Sequence, residues 1–502
     1  MIFDKSSASC LAVLGTGSDV GKSIVVTALC RILSNRGIRV APYKAQNMSN
    51  NSGVTPEGLE MGRAQIVQAE ASRIPPHVDM NPILLKPTSD VGSQVVVLGE
   101  AVANRTASQY HRQKETLFST ACQALDRLRE SHDVVILEGA GSCAEVNLML
   151  HDIVNFRMAE YAQAPVILVG DIHRGGIFAQ LIGTLACLPS DCQDRITGFI
   201  INRFRGDISL FQDGIRWIES RSGKTVFGVL PWMNHIGVEA EDSVVIENPE
   251  KLLRDDDSMP AIAIIRVPHI SNFTDFDPLM RISGISTVFI EQPMELSRFK
   301  AVILPGSKNT CSDLRWLHRS GWSAHIQSYA ATGGHVLGIC GGYQMLGTHV
   351  HDPDGLEGAP GTTDGLGLLP VETVLKSPKT TTLSSFEWKG IVGQGYEIHM
   401  GQTHLKQGTP LLIITARSGN SCHEPDGAQT DNDSVLGTYI HGLFDTPGII
   451  RLWLDQIGLS HIPASTDHGF IERDLAYDRL AEHVESHINV DAILSMSSIR
   501  NR

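Results

Sequence analysis

Residues 10–33 read Cys10-Leu-Ala-Val-Leu14, then Gly15-Thr16-Gly17-Ser18-Asp-Val20-Gly21-Lys22-Ser23, then Ile24-Val-Val-Thr-Ala-Leu-Cys-Arg-Ile-Leu33. An apolar run enters a glycine-rich loop, and the loop opens a helix-like segment. Such a loop is a phosphate cradle. Its glycines let backbone amides face the phosphates, Lys22 meets the β and γ oxygens, and the Ser23 hydroxyl can ligate Mg²⁺. A Gly-Lys-Ser triplet alone is common; one set between a strand and a helix marks a nucleotide site. Gly15, Thr16, Gly17, Ser18, Val20, Gly21, Lys22 and Ser23 are therefore the nucleotide-binding candidates. The loop is one residue longer than the standard form, with Thr16 where the first Gly usually stands.

Outward from this loop, residues 10–235 alternate β-branched runs with helix-like stretches. Val40–Tyr43, Val134–Leu137, Pro165–Val169, Gly198–Ile201 and Val226–Leu230 join Cys10–Leu14 as expected strands. Continuous apolar strands separated by helices imply a parallel sheet covered on both faces. Residues 236–258, rich in Glu, Asp, Asn, Pro and Ser, read as a linker. A second α/β run follows over 259–450, with expected strands at Ala261–Ile265, Ala301–Leu304, Leu411–Ile414 and Val435–Ile440. Residues 350–365 and 416–434 read as surface loops. The remainder, 451–502, reads as a helical extension, with an amphipathic helix from Ile471 to His483. The expected fold class is α/β, two doubly wound parallel-sheet domains in tandem.

The second run contains Leu337-Gly338-Ile-Cys340-Gly341-Gly342-Tyr-Gln344-Met-Leu-Gly347. Gly-x-Cys-x-Gly has the spacing of a nucleophile elbow, where small flanking residues permit a sharp strand-to-helix turn. A thiol at a helix N-terminus meets the positive end of the helix dipole, which favours thiolate. Gly437-Thr-Tyr-Ile-His441-Gly442 places a histidine in a second glycine-framed turn, and His441 is the candidate base. This half reads as a cysteine acyl-transfer site.

The bulk numbers exclude other classes. With 502 residues the chain exceeds one ordinary core, so two or three domains are expected. A net charge of −14 and the lack of a long basic run argue against nucleic acid as a partner. Nine cysteines, odd in number and without Cys-x-x-Cys, indicate neither a disulfide framework nor a zinc knuckle, and a cytoplasmic location is expected. No signal peptide and no membrane span are evident, and the sequence is silent on oligomeric state.

Both halves resemble known families. The loop form Gly-Thr-x-Ser/Thr-x-Val-Gly-Lys-Ser/Thr is similar to the dethiobiotin synthetase branch of the P-loop NTPases. In that branch Lys44 would be a second phosphate-facing lysine, and Glu138, in Val134-Val-Ile-Leu-Glu138-Gly, would join Ser23 at Mg²⁺. The elbow resembles the class I glutamine amidotransferases, which implies a glutamine site at Gly306, Gly341 and Gln344, with Leu304-Pro-Gly-Ser307 completing the oxyanion hole. That family has Glu two residues after the His, where Leu443 stands here. The loss is typical of the subgroup that amidates cobyrinic acids.

Tyr43-Lys-Ala-Gln-Asn-Met-Ser49, Met80-Asn-Pro-Ile-Leu-Leu-Lys-Pro87, Asp152-Ile-Val-Asn155, Gly198–Asp207, Leu304–Thr310 and Tyr396-Glu-Ile-His-Met-Gly401 resemble the cobyric acid synthases of the cobyrinic acid amidase family. In Gly170-Asp171-Ile-His173-Arg-Gly-Gly176 that family has Asp at 173, and Asp171 remains a possible substrate or metal contact. The resemblance implies ATP- and glutamine-dependent amidation of side chains b, d, e and g of adenosylcobyrinic acid a,c-diamide, with Mg²⁺ and no tightly bound cofactor. ATP, glutamine and a corrinoid would be the small-molecule partners. Two alternatives stay open: a cobyrinic acid a,c-diamide synthase, and a P-loop ATPase switch or scaffold whose glutaminase half is inactive.

Overall fold

The computed structural model describes residues 8–89, 92–106, 114–233, 237, 259–464 and 469–496. Apart from Gly237, the expected linker at 236–258 lies outside them. The first sheet has six parallel strands in the order Thr225–Pro231, Ile196–Phe204, Val166–Asp171, Ser9–Gly15, Val134–Glu138, Val40–Tyr43. Each corresponds to an expected apolar run. Ser9–Gly15 lies where the strand order reverses, and at such a switch point the loops diverge and leave a crevice for a ligand. The phosphate-cradle loop leaves the sheet there.

The second sheet is also largely parallel, in the order Ser286–Ile290, Ala261–Ile265, Phe299–Leu304, His335–Ile339, Val435–Thr438, closed by the short antiparallel Ala428–Gln429. The Cys340 elbow and the His441 turn leave the C-terminal ends of two adjacent strands of this sheet. That adjacency brings together residues far apart in sequence.

Two mixed sheets, mostly antiparallel but each with one parallel pair, were not legible in the sequence. Gln46–Met48, Ile83–Ser89, Gly92–Val97 and Glu100–Thr106 form one. The other is built on the long strand pair Val371–Trp388 and Ile391–Leu405. It also takes in His349–Asp352, Gly361–Asp364, Leu412–Arg417 and Asn420–Asp426, so the segments read as loops at 350–365 and 416–434 contain strands. Leu411–Ile414, expected among the parallel strands, pairs antiparallel here instead. Half-exposed antiparallel strands alternate polar and apolar residues, and the Thr- and Ser-rich composition of these hid that alternation.

The end of the chain returns to the beginning. Helices Gly469–Glu485 and Val490–Met496 place Leu480, Val484, Ile493 and Leu494 in the same apolar cluster as Val25, Leu29 and Leu33 of the helix Lys22–Asn35. Arg31, fully buried on that helix, reaches Asp474 at 2.7 Å and Asp478 at 2.8 Å. Removing one partner of a buried ion pair costs about 3–5 kcal/mol. Both carboxylates are about one-third exposed and can rehydrate, so the cost falls to the bottom of that range or below it. Arg31→Ala is expected to cost about 2–3 kcal/mol, read as a lower urea midpoint; an unchanged midpoint would show that the C-terminal helix does not support this half.

Candidate active site

The loop after the first strand is held by close packing. Gly21 sits at φ +98°, and a Cβ there would fall 2.0 Å from Nδ2 of Asn202. That same nitrogen donates to the Val20 carbonyl at 3.0 Å. A Cβ at Gly15 would meet Val20 at 2.8 Å and the Lys22 side chain at 2.9 Å. The Lys22 ammonium lies across the loop, donating to the carbonyls of Gly17 at 2.8 Å and Gly141 at 3.0 Å. Thr16 donates to Gln180 at 3.3 Å.

Glu138 is the hub of this site. Buried at the end of its strand, it accepts from Ser23 Oγ at 2.9 Å, from Lys44 Nζ at 2.8 Å and from the Gln68 amide. The structure thus brings Ser23, Lys44 and Glu138 together as the sequence suggests; Gln68 was missed, since a lone helical glutamine carries no signal. A serine hydroxyl and a carboxylate side by side are the hard oxygen donors that suit Mg²⁺, which takes few protein ligands and leaves the rest to phosphate and water. Asp171 lies apart from this trio, at the end of its own strand. It pairs with Arg203 at 2.9 Å and accepts from the His173 N–H at 2.7 Å, while the His173 ring leans on Trp232 at 4.7 Å.

In the other half, Cys340 has φ +52° and ψ −107°, a strained conformation for a residue with a side chain. Its neighbours must be glycine. A Cβ on Gly342 would stand 2.0 Å from the Leu304 carbonyl, one on Gly341 2.7 Å from the Ser307 nitrogen, and one on Gly338 2.6 Å from the Gly342 carbonyl. The turn places Cys340 at the head of the helix Gly341–Leu346, where the first N–H groups have no acceptor within the helix. The facing Gly306–Ser307 loop is pinned by buried Asp313, which accepts from Ser307 Oγ at 2.6 Å and from the His269 ring at 2.7 Å. Gln344 is fixed by Thr310 at 2.9 Å and by the Tyr439 hydroxyl at 3.1 Å.

His441 and Cys340 line one cavity. The sequence leaves the group that orients His441 unidentified, since Leu443 stands where an acid was expected. The structure supplies Asp275. Its Oδ2 lies 2.6 Å from His441 Nδ1, and its Oδ1 accepts from the Gly442 N–H at 3.0 Å. Tyr396 stacks on the ring at 5.2 Å. Burial disfavours the imidazolium, but the charge of Asp275 and the sulfur of Cys340 outweigh it and push the His441 pKa up to about 10. Asp275 comes from the turn Phe273–Phe276, and one aspartate in Asn-Phe-Thr-Asp-Phe offers no pattern to read.

The N-terminal half contributes to the wall of this cavity through Lys86. Lys86 and Lys379 both reach buried Glu60 at 2.7 Å. Burial would raise the Glu60 pKa, but the two lysines hold it well below the usual carboxylate range. Two backbone contacts reinforce this seam: Ser52 N–H donates to Asn272 at 3.1 Å and Phe273 N–H to Asn51 at 3.2 Å.

Asp275→Asn is expected to lower glutamine hydrolysis by at least ~100-fold, the usual worth of a correctly held general base. It has a second consequence for stability. His441 titrates at about 10 when folded against an ordinary 6.5, so its protonated form stabilises the fold fully below pH 6.5, and that contribution is lost as pH rises toward 10. Without Asp275, burial dominates and the contribution shrinks. The gap in unfolding midpoint between wild type and variant should therefore narrow from pH 6.5 to 10; a constant gap would rule out the charge pair.

Comparison with known proteins agrees with both halves. Residues 11–244 match the family described as the CobQ/CobB/MinD/ParA nucleotide binding domain, and residues 261–448 the CobB/CobQ-like glutamine amidotransferase domain. A cobyric acid synthase of Chlorobium phaeobacteroides (strain BS1) is 51% identical over 491 residues, covering 96% of this chain and 98% of its own. The cobyric acid synthase of Chlorobaculum tepidum is 47% identical, covering 97% and 98%, and that of Chloroflexus aurantiacus 46%, covering 94% and 96%. With both halves matched in order and such relatives aligned from end to end, the chain belongs to the cobyric acid synthase family.

Proposed function

We propose that this protein converts adenosylcobyrinic acid a,c-diamide to adenosylcobyric acid, amidating side chains b, d, e and g with ammonia from glutamine and one ATP per amide. The observation that carries the reading is the union of two half-sites in one chain. A Ser23–Glu138–Lys44 phosphate site and a Cys340–His441–Asp275 triad flank a seam at which Lys86 of the first half lines the cavity of the second.

In the second half, the Cys340 thiolate attacks the carboxamide carbon of glutamine, and the oxyanion meets the N–H groups of Gly341 and the Gly306–Ser307 loop. His441, protonated and aligned by Asp275, gives its proton to the leaving ammonia. It then takes a proton from the water that hydrolyses the thioester to glutamate.

In the first half, a carboxylate is a poor acyl donor until its oxygen can leave. Attack by the corrinoid carboxylate on the γ-phosphorus of ATP gives an acyl phosphate and ADP; ammonia displaces phosphate and the amide forms. Lys22 and Lys44 supply the positive charge this phosphoryl transfer needs. Ser23 and Glu138 would hold Mg²⁺, which when bound neutralises phosphate charge. Asp171 is kept as a contact for the same substrates, and a cytoplasmic location fits this chemistry.

Two variants separate the half-reactions. Cys340→Ala should abolish glutamine-dependent amidation while leaving ammonia-dependent amidation, measured as corrinoid products by chromatography. Loss of both with the fold intact would sink the two-site scheme. Lys22→Ala should reduce amidation roughly 10³-fold or more with either nitrogen source, the scale of a lost phosphate-clamping charge. Corrinoid affinity, read by visible absorbance, should hardly change; normal ammonia-driven turnover would place carboxylate activation elsewhere.

A further inference from the structure

The charged side chains that line the Cys340 cavity divide into two groups. Lys86 and Lys379 are committed to Glu60, and His441 to Asp275. Lys308 and Glu357 line the same cavity without such commitment. No hydrogen bond or ion pair engages the Lys308 ammonium among the described residues. Glu357 accepts one hydrogen bond there, at Oε2 from the Cys311 N–H at 3.0 Å.

Both are nevertheless presented by rigid backbone. Lys308 directly follows the Gly306–Ser307 loop, and its own N–H donates to the His269 carbonyl at 2.9 Å. The turn that carries Glu357 is clasped by buried Asp352, which accepts from the Leu356 and Glu357 N–H groups at 2.7 and 2.9 Å. Asn309 ties the Glu357 carbonyl to the Lys308 loop at 3.2 Å. Burial pushes the Glu357 carboxyl up to about 7 despite the Cys311 N–H and the charge of Lys308, and burial also lowers the Lys308 pKa. The two charges feel each other, but among the described residues neither makes a contact ion pair, and a buried charge without a bonded partner is costly.

A glutamine whose carboxamide lies at Cys340 brings one carboxylate and one ammonium at its far end. We infer that Lys308 binds the α-carboxylate and Glu357 the α-ammonium of that glutamine. The assignment rests on the reading of Cys340 as the nucleophile. It makes these two residues the specificity determinants that select a free amino acid over other primary amides.

The test uses the full-length protein and three amides: glutamine, glutaramate, which lacks the amino group, and 4-aminobutanamide, which lacks the carboxylate. Lys308→Met should raise KM for glutamine roughly 10- to 100-fold, the value of a charged hydrogen bond, and leave hydrolysis of 4-aminobutanamide unchanged. Glu357→Gln should do the same for glutamine and spare glutaramate. Ammonia-dependent amidation and alkylation of Cys340 by iodoacetamide should be unaffected in both. The inference is overturned if a variant slows glutamine and its matched analogue equally, or if KM for glutamine does not move. It is also overturned, with no variant needed, if the wild type hydrolyses both analogues as readily as glutamine. A wild type that hydrolyses none of the three would instead remove the nucleophile reading on which the inference rests.

Discussion

The contact between Asp275 and His441, 2.6 Å long and wholly buried, joins segments 166 residues apart and sets what the second half can do. It aligns an imidazole that burial alone would keep neutral, and it makes the turn Phe273–Phe276 part of the site. That turn is braced from the other half of the molecule, where Asn51 accepts from the Phe273 N–H and Ser52 donates to Asn272. His441, the proposed base, is therefore held by a residue whose own position depends on the seam between the halves. Two separately folded halves would lack this support.

The same economy appears at Glu138 and Glu60. Each is a buried carboxylate that gathers hydrogen-bond donors from several segments: Ser23, Lys44 and Gln68 in one case, Ser52, Lys86 and Lys379 in the other. Buried charges of this kind contribute little net stability, because desolvation opposes the pairing. What they contribute is position. Glu138 holds Ser23 of the phosphate loop beside Lys44 and Gln68, and Glu60 ties a strand of the first half to the long antiparallel hairpin of the second, at the wall of the cavity.

Much of the fold was legible because its central strands are buried on both faces and read as continuous apolar runs. Cys10–Leu14, Val134–Leu137 and Ala261–Ile265 needed no partner to be recognised. The hairpin Val371–Leu405 was not legible, since its strands are half exposed and their Thr, Ser and Gly content resembles a loop. The helix Gly469–Glu485 was legible as an amphipathic helix, but the surface it covers was not, because an apolar stripe does not name its partner.

By itself the sequence determined the two turns whose geometry is local. The Gly15–Ser23 loop and the Gly338–Gly342 elbow each consist of neighbours in sequence, because backbone sterics there demand glycine at fixed offsets: a Cβ on Gly21 or Gly342 would stand 2.0 Å from another atom. It also supplied Glu138 and His441, each at a strand end or a glycine-framed turn. Only the tertiary structure decided which acid serves His441, which residues close the cavity, and where Lys308 and Glu357 face. Those are contacts between segments distant along the chain, made by single side chains with no periodicity or spacing, and they exist only once the two sheets and the hairpin have packed together.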